Sequence, residues 1–185
     1  DTWNEKNILR RAESLSEKLI SNDYNGENPT NKVAYVKILF DEESKKRVAR
    51  HRNMRKGKGF ETVECYTGLK NVRIDKNSTV LLECMSNLVA NEMFQESGAG
   101  KNTVNAVMEG IRSLREQTGD LVIVTNEIFS EAAKYEGETE TYQRYLGEIN
   151  QKLAVLSDQV VEVVYGIPVY HKQELPPFDF EKIHK

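Results

Sequence analysis

Short apolar runs along the chain predict β-strands. The run that opens at Thr79 continues through three apolar residues to Glu83. Unbroken apolar runs of this length are typical of strands buried on both faces of a parallel sheet. The run at 120–127 has the same character, and we predict that it is buried as well. The predicted strands are 33–40, 60–66, 79–83, 120–127 and 159–169, the last with a break at Gly166.

Between these runs, apolar residues recur at three- and four-residue spacing, which predicts amphipathic helices at 4–20, 41–54, 87–94, 103–118 and 139–158. Strands that alternate with helices predict a doubly wound α/β fold. We expect one domain, with a helix and loop at 1–31, a core at 33–172 and a tail at 173–185. The inner faces predicted for the last two helices are Val104, Val107, Met108, Ile111 and Leu114, and Tyr142, Tyr145, Leu146, Ile149, Leu153 and Leu156.

Two of the predicted strands end in carboxylates. Glu83 closes the first, while Asn126 and Glu127 close the second. In open parallel sheets, ligands bind outside the carboxyl ends of the strands. An acid there can hold a Mg²⁺-bound phosphate or orient a nucleophile. The alternative for Glu83 is a solvated side chain at a strand end, with no chemical role.

The predicted helix at 41–54 is strongly basic and contains His51. Surrounding cations lower the pKa of a histidine and keep the imidazole neutral. A neutral ring nitrogen can attack phosphorus, and nearby guanidinium groups can hold the phosphates that it attacks. The alternative is a surface helix with a solvated histidine.

Composition and charge narrow the class of partner. The chain has 185 residues and a formal net charge of −3, so charge gives no reason to expect nucleic acid or an anionic membrane. No apolar run approaches the roughly 20 residues that span a bilayer. No basic stretch leads into an apolar one, so we do not expect a secretory signal. Cys65 and Cys84 are the only cysteines. A reduced, cytoplasmic protein fits this usage, and an oxidised pair stays open.

Five motifs in order resemble one protein family. They are 47–55 (RVARHRNMR), 60–65 (FETVEC), 81–84 (LLEC) with Asn87 and Asn91, 124–127 (VTNE) and 147–154 (GEINQKLA). Together they resemble the adenosylcobinamide kinase / adenosylcobinamide-phosphate guanylyltransferase family of cobalamin biosynthesis. The likeness covers roughly 33–172, which is most of the chain.

The resemblance implies a P-loop-NTPase-like, three-layer α/β fold with a mostly parallel sheet, assembled as a homotrimer. It also implies two reactions. In one, a nucleoside triphosphate (GTP or ATP) phosphorylates the aminopropanol hydroxyl of adenosylcobinamide. In the other, GMP passes from GTP to the resulting adenosylcobinamide phosphate through a GMP-histidine intermediate.

The same resemblance assigns roles to residues. The nucleophilic histidine falls on His51, and the acid of the second strand motif falls on Glu83, which would hold Mg²⁺ directly or through water. Glu64, Asn126 and Glu127 are implied as nucleotide-binding residues. The candidates for phosphate contacts are Arg47, Arg50, Arg52 and Arg55.

One feature of the family is missing from the printed sequence. Relatives begin with a strand and a GxxxxGK[ST] loop, whereas residues 1–11 contain no glycine. The stretch 98–103 (GAGKNT) matches that motif only in part, and we interpret it as a loop that leads into a helix. Either the chain was shortened ahead of Asp1 or this member has lost the loop, and triphosphate binding is then expected to weaken. The alternative function is a non-catalytic relative that binds a corrinoid or a partner subunit.

Overall fold

The structure, a computed structural model, describes residues 33–38, 60–76, 78–129, 136–165 and 167–173. Two short 3₁₀ helices, Leu69–Asn71 and Gly100–Asn102, accompany the regular elements. Those elements are β1 (Val33–Ile38), β2 (Phe60–Cys65), β3 (Ser78–Glu83), α1 (Met85–Phe94), α2 (Thr103–Gln117), β4 (Thr118–Ile123), α3 (Glu138–Leu156), β5 (Gln159–Val164) and β6 (Ile167–Gln173).

The first four described strands form a parallel sheet in the order β2-β1-β3-β4. β3 lies inside this sheet, and all of its residues are buried. This confirms the strand that its unbroken apolar run predicts. Together with the helices that connect the strands, the parallel sheet also confirms the predicted α/β class.

β4 differs from its prediction. It ends at Ile123 instead of continuing to 127, and none of its residues is fully buried. The prediction of a buried strand is therefore wrong for this run. β4 is the outermost described strand on its side of the sheet. An apolar run reports the hydrophobicity of a strand but not its place in the sheet, and an outer strand is covered less completely than an inner one.

The predicted last strand, 159–169, is instead a hairpin. β5 and β6 pair with each other in antiparallel fashion and form a separate two-stranded sheet. The chain reverses between Val164 and Ile167, and Tyr165 begins the reversal with a φ of +47°. Most side chains of the hairpin are exposed or only half-buried.

The helices α1, α2 and α3 contact one another and enclose the core with the sheet. On α2, Val107, Met108, Ile111 and Leu114 are buried as predicted, whereas Val104 is only partly buried. On α3, Leu146, Ile149 and Leu153 are buried as predicted, and Tyr142 and Tyr145 are partly buried. Leu156 is 39% exposed, so its predicted inward position is wrong. It is the last residue of α3, beyond the packed part of the helix.

α1 crosses the carboxyl edge of the sheet. It begins at Met85, two residues before the predicted start, and only Cys84 separates it from β3. Near its other end, Asn91 Nδ2 donates to the carbonyl oxygen of Tyr66 at 2.9 Å, just beyond β2. Since β1 lies between β2 and β3, the helix spans the ends of three strands.

The predicted helices at 4–20 and 41–54 lie outside the described residues. Within the described ranges, no helix is both long enough and apolar enough to traverse a lipid bilayer.

Candidate functional site at the carboxyl edge of the parallel sheet

The carboxyl ends of β3 and β4 lie side by side, because the strands are parallel and Leu82 pairs with Ile123. The pairing continues past β4. The Val124 N–H donates to the carbonyl oxygen of Leu82 at 2.9 Å, and the Met85 N–H donates to the carbonyl oxygen of Val124 at 2.9 Å. Glu83 lies at this edge and is 9% exposed. The backbone after β4 is thus fixed against the junction of β3 and α1.

Ser86, in the first turn of α1, joins this junction to Asn126. Its hydroxyl donates to Asn126 Oδ1 at 2.9 Å. The carbonyl oxygen of Ser86 accepts a hydrogen bond from the Tyr142 hydroxyl of α3 at 3.3 Å. Ser86 therefore connects α1, α3 and the loop after β4, with Asn126 at one end of the chain of contacts.

Cys84 lies next to the same serine, with 3.1 Å between Cys84 Sγ and Ser86 Oγ. The single hydroxyl proton of Ser86 is used on Asn126, so the thiol is the donor to Ser86 Oγ. Burial raises the pKa of the Cys84 thiol, and the nearby Glu83 charge raises it further. A protonated thiol is a poor nucleophile, so Cys84 supports the site through packing and its hydrogen bond.

Glu127 shapes the loop that follows. Its Oε1 accepts the N–H of Phe129 at 2.6 Å, a bond between a carboxylate and its own backbone two residues on. The side chains of Asn126 and Glu127 are exposed. Their polar atoms are therefore accessible from the solvent side of the sheet edge.

A half-open cavity of about 290 Å³ lies beside Ser86, between α1 and α3. Its lining residues are Ser86, Asn87, Ala90, Phe94 and Tyr142. The walls are mainly apolar, and the Asn87 amide is among the few polar groups on them.

The strand register places Glu64 in line with Glu83. Both pair with Lys37 of β1, Glu64 from β2 and Glu83 from β3. Residues in register on neighbouring parallel strands project to the same face, and two strand spacings amount to roughly 10 Å. Glu64 is exposed, whereas Glu83 is buried.

On the β2 side of the edge, Glu92 holds two loops together. Its Oε1 accepts the N–H of Gly68 at 2.7 Å, and its Oε2 accepts the N–H of Ala99 at 2.9 Å. The carboxylate is 2% exposed. Cys65, at the end of β2, lies nearby, and burial followed by the Glu92 charge raises its thiol pKa from the usual 9.0 to about 11.

Of the site residues predicted from sequence, Glu83, Asn126 and Glu127 come together at one sheet edge, and Glu64 shares that edge two strands away. His51 lies outside the described residues. So do the candidate phosphate contacts, which are Arg47, Arg50, Arg52 and Arg55. Sequence reasoning missed Ser86. The available signal was a small polar residue in the first turn of the helix that follows Glu83.

The side chains at this edge suit a Mg²⁺ site in which the protein supplies only one or two carboxylates. In the described part of the chain, no three or more His, Cys, Asp or Glu side chains are grouped closely enough to hold a metal ion. Mg²⁺ usually keeps several waters and is bound by one or two carboxylates and the phosphates of a substrate. The carboxylate of Glu83 at the end of β3 fits a site of that type.

Comparison with known proteins gives two findings. The family model for cobinamide kinase / cobinamide phosphate guanyltransferase, CobU, matches residues 14–170. The bifunctional adenosylcobalamin biosynthesis protein CobU of Escherichia coli strain K12 is 28% identical over 156 residues, which is 76% of this chain and 86% of that relative.

Proposed function

This chain belongs to the cobinamide kinase / cobinamide phosphate guanyltransferase family, and from that premise we propose that it catalyses two successive reactions. It transfers a phosphoryl group from GTP or ATP to the hydroxyl of adenosylcobinamide. It then transfers GMP from GTP to adenosylcobinamide phosphate through a histidine intermediate.

The observation that carries the proposal is the juxtaposition at the carboxyl edge of the sheet. Two neighbouring parallel strands end side by side at the edge that carries Glu83 and the Asn126–Glu127 pair. Ser86, three residues after Glu83, donates to Asn126 Oδ1 at 2.9 Å. This is the part of an α/β sheet where ligands bind. Acidic and amide oxygens are suited to a hydrated cation and to the hydroxyl groups of a nucleotide.

His51 is the proposed nucleophile. A neutral ring nitrogen attacks the α-phosphorus of GTP, an N–P bond forms, and the P–O bond to pyrophosphate breaks so that pyrophosphate leaves with the electron pair. A phosphate oxygen of adenosylcobinamide phosphate then attacks the same phosphorus. The N–P bond breaks and the imidazole regains its electron pair, which returns the enzyme to its starting state.

The remaining residues bind and orient the substrates. Arg47, Arg50, Arg52 and Arg55 are proposed to contact the phosphates, because guanidinium groups pair with phosphate oxygens in bidentate fashion. Glu64, Asn126 and Glu127 are proposed to bind the nucleotide. Glu83 is proposed to hold Mg²⁺ directly or through water, and the ion, when bound, would neutralise the charge of the leaving pyrophosphate.

We extend the proposal to the fold and assembly of the family. A P-loop-like, three-layer arrangement and a homotrimer are the expected architecture. The parallel sheet, whose strands β3 and β4 are connected through helices, supports the P-loop-like part of this architecture.

The test is covalent labelling with GTP that carries a radioactive α-phosphate. The protein is incubated with this GTP and Mg²⁺, denatured and separated from free nucleotide. We expect labelled protein whose label is lost in acid and kept in base, as for a phosphorus–nitrogen bond. His51→Ala is expected to abolish the label.

His171→Ala is the matched control, since His171 is an exposed histidine whose Nε2 lies 2.8 Å from Glu162 Oε2 on the β5–β6 hairpin. It should label like the original chain. Labelling that persists in His51→Ala contradicts the histidine mechanism. If the original chain neither labels nor binds GTP and Mg²⁺ by calorimetry, the non-catalytic alternative replaces the enzymatic one.

A further inference from the structure

The segment that carries Asn126 and Glu127 lies along one face of α3. Thr125 and Asn126 contact Asn150, and the carbonyl oxygen of Ile128 accepts a hydrogen bond from Gln143 Nε2 at 3.4 Å. The contacts run in opposite order along the two stretches, so the segment is antiparallel to the helix.

Gly147 lies between the two polar contacts on α3. A Cβ built on Gly147 would lie 3.5 Å from ring atoms of Phe129, so the ring lies directly over this glycine. Gln143, Gly147 and Asn150 are spaced by four and three residues and therefore share one stripe of the helix. This stripe contacts Thr125, Asn126, Ile128 and Phe129.

Asn150 makes the two contacts closest to the sheet edge with a single amide group. Its Oδ1 accepts the hydroxyl of Thr125 at 2.7 Å, and its Nδ2 donates to the carbonyl oxygen of Asn126 at 3.5 Å. The two bonds require opposite ends of the amide, so they fix one orientation of the side chain. The amide thus binds the side chain of Thr125 and the backbone of Asn126, one on each side of the peptide bond that joins them.

Asn126 is consequently fixed from two directions. Ser86 of α1 holds its side-chain oxygen, while Asn150 of α3 holds its backbone carbonyl oxygen. The chain immediately before it is fixed by the backbone bonds of Val124 to Leu82 and Met85. Little rotational freedom is left for the Asn126 side chain or for the start of the Glu127 residue.

We propose that Asn150 is a positioning residue of the transfer site: with Thr125 it sets the orientation of Asn126 and Glu127 at the edge of the sheet. The inference rests on the proposed function, because it assigns Asn150 a role in that reaction. Asn150 acts through the loop and has no contact of its own with the reacting atoms.

The position of these bonds favours a role in orientation over one in folding. The hydrogen bonds of Thr125 and Asn150 are exposed. In the unfolded chain water takes their place at similar energy, so their net effect on stability is small. Catalysis is more sensitive, since a displacement of about 1 Å in a positioning group lowers a rate by up to roughly 100-fold.

The experiment is a double-mutant cycle on Thr125→Val and Asn150→Ala, with the rate of GMP–enzyme formation, its dependence on GTP concentration and the melting temperature as readouts. Each single variant is expected to form the adduct about 10- to 100-fold more slowly. The half-saturating GTP concentration should rise as well, because Asn126 and Glu127 are the proposed nucleotide-binding residues. The double variant should be no slower than the slower single variant, because both remove the same contact. The melting temperature should change little.

Two further variants sharpen the result. Thr125→Ser keeps the hydroxyl and should recover most of the rate that Thr125→Val loses. Gln151→Ala replaces the exposed neighbour of Asn150 on α3 and should behave like the original chain.

Three outcomes contradict the inference. The single variants could label at the original rate, their effects could multiply in the double variant, or the melting temperature could fall with the rate while Thr125→Ser fails to recover it. An original chain that forms no adduct overturns the proposed function as well. The other outcomes leave the proposed function intact and remove only the role of Asn150.

Discussion

Two loops at the same edge of the parallel sheet are held in different ways. After β2, the loop at Gly68 is held by Glu92 of α1, whose two carboxylate oxygens accept backbone N–H groups at 2.7 and 2.9 Å. After β4, the loop at Thr125–Phe129 is held by the neutral amides of Asn150 and Gln143 of α3. Glu92 is itself buried, with 2% exposed, and its two bonds are partly buried. The Gln143 bond is also partly buried, whereas both Asn150 bonds are exposed.

The contrast separates a contact that the fold needs from one that the chemistry needs. Water cannot replace a buried carboxylate that accepts two N–H groups, so removing the carboxylate lowers the free energy of unfolding. An exposed amide can be replaced by water, so its value lies in the geometry that it selects. Functional loops are drawn from the less stable parts of a protein, and the loop with Asn126 and Glu127 is the one with the exposed contact.

The largest expected effect comes from Glu92→Ala. It leaves the partly buried N–H groups of Gly68 and Ala99 without their acceptor, which should lower the free energy of unfolding by about 2–4 kcal/mol. Urea denaturation measures the change. Glu109→Ala is the control, because Glu109 makes an exposed ion pair to Lys70 at 3.7 Å, and such a pair is worth about 0–1 kcal/mol. If both variants lost the same free energy of unfolding, Glu92 would contribute no more than a surface ion pair, and the distinction drawn between the two loops would fail.

The second effect compares glycines from the two regions. A Cβ at Gly98 would lie 2.5 Å from the carbonyl oxygen of Glu92 and 2.7 Å from that of Asn91, so Gly98→Ala must displace backbone and should lose about 1–3 kcal/mol. At Gly147 the added methyl meets the Phe129 ring at 3.5 Å, an ordinary contact. Gly147→Ala should therefore gain up to about 1 kcal/mol from helix propensity.

Thermal and urea unfolding of the two glycine variants give the sign of each change. The comparison fails if Gly98→Ala is neutral, or if Gly147→Ala is as destabilising as Gly98→Ala. A smaller gain at Gly147 together with slower adduct formation would mean that the Phe129 ring has moved.

A further effect is a pH dependence on the β2 side. Burial raises the Cys65 thiol pKa from 9.0 to about 11 in the folded chain. The thiol therefore stays protonated in the folded state while the unfolded state begins to ionise. Its contribution to stability is complete below pH 9 and is lost as the pH rises from about 9 to about 11.

Urea unfolding at pH 8 and pH 10.5, for the original chain and for Cys65→Ala, isolates this contribution. We expect the original chain to lose more stability between the two pH values than the variant does. An identical loss in both chains would show that Cys65 does not titrate as its burial requires.

What the sequence predicted well was local. The unbroken run ending in Glu83 specified a buried strand, because three apolar residues in succession place apolar side chains on both faces of the strand. The same reasoning failed for β4, whose run is equally apolar but whose place is at the outer side of the described sheet. Strand order is a property of the whole chain and is not encoded in the run itself.

The contacts that complete the site were out of reach for a different reason. Ser86 meets Asn126 across 40 positions of sequence, and Thr125 meets Asn150 across 25. Each contact joins two polar side chains on partly exposed surfaces. Nothing in their spacing along the sequence distinguishes these side chains from solvated ones. Glu92 was missed because a charged residue in a helix is expected to face water, whereas this one is buried by its two backbone partners.

The continuous series of anchors beyond β4 has a consequence for evolution. Val124 is bonded to β3 and α1, and Thr125 and Asn126 are both bonded to Asn150 of α3, so each of these three consecutive positions is held in place. Such a series of contacts fixes the length of the chain between one contact and the next. Among homologues, this stretch should accept exchanges of one side chain for another far more readily than insertions or deletions, because a change of length by a single residue would shift every later anchor out of reach.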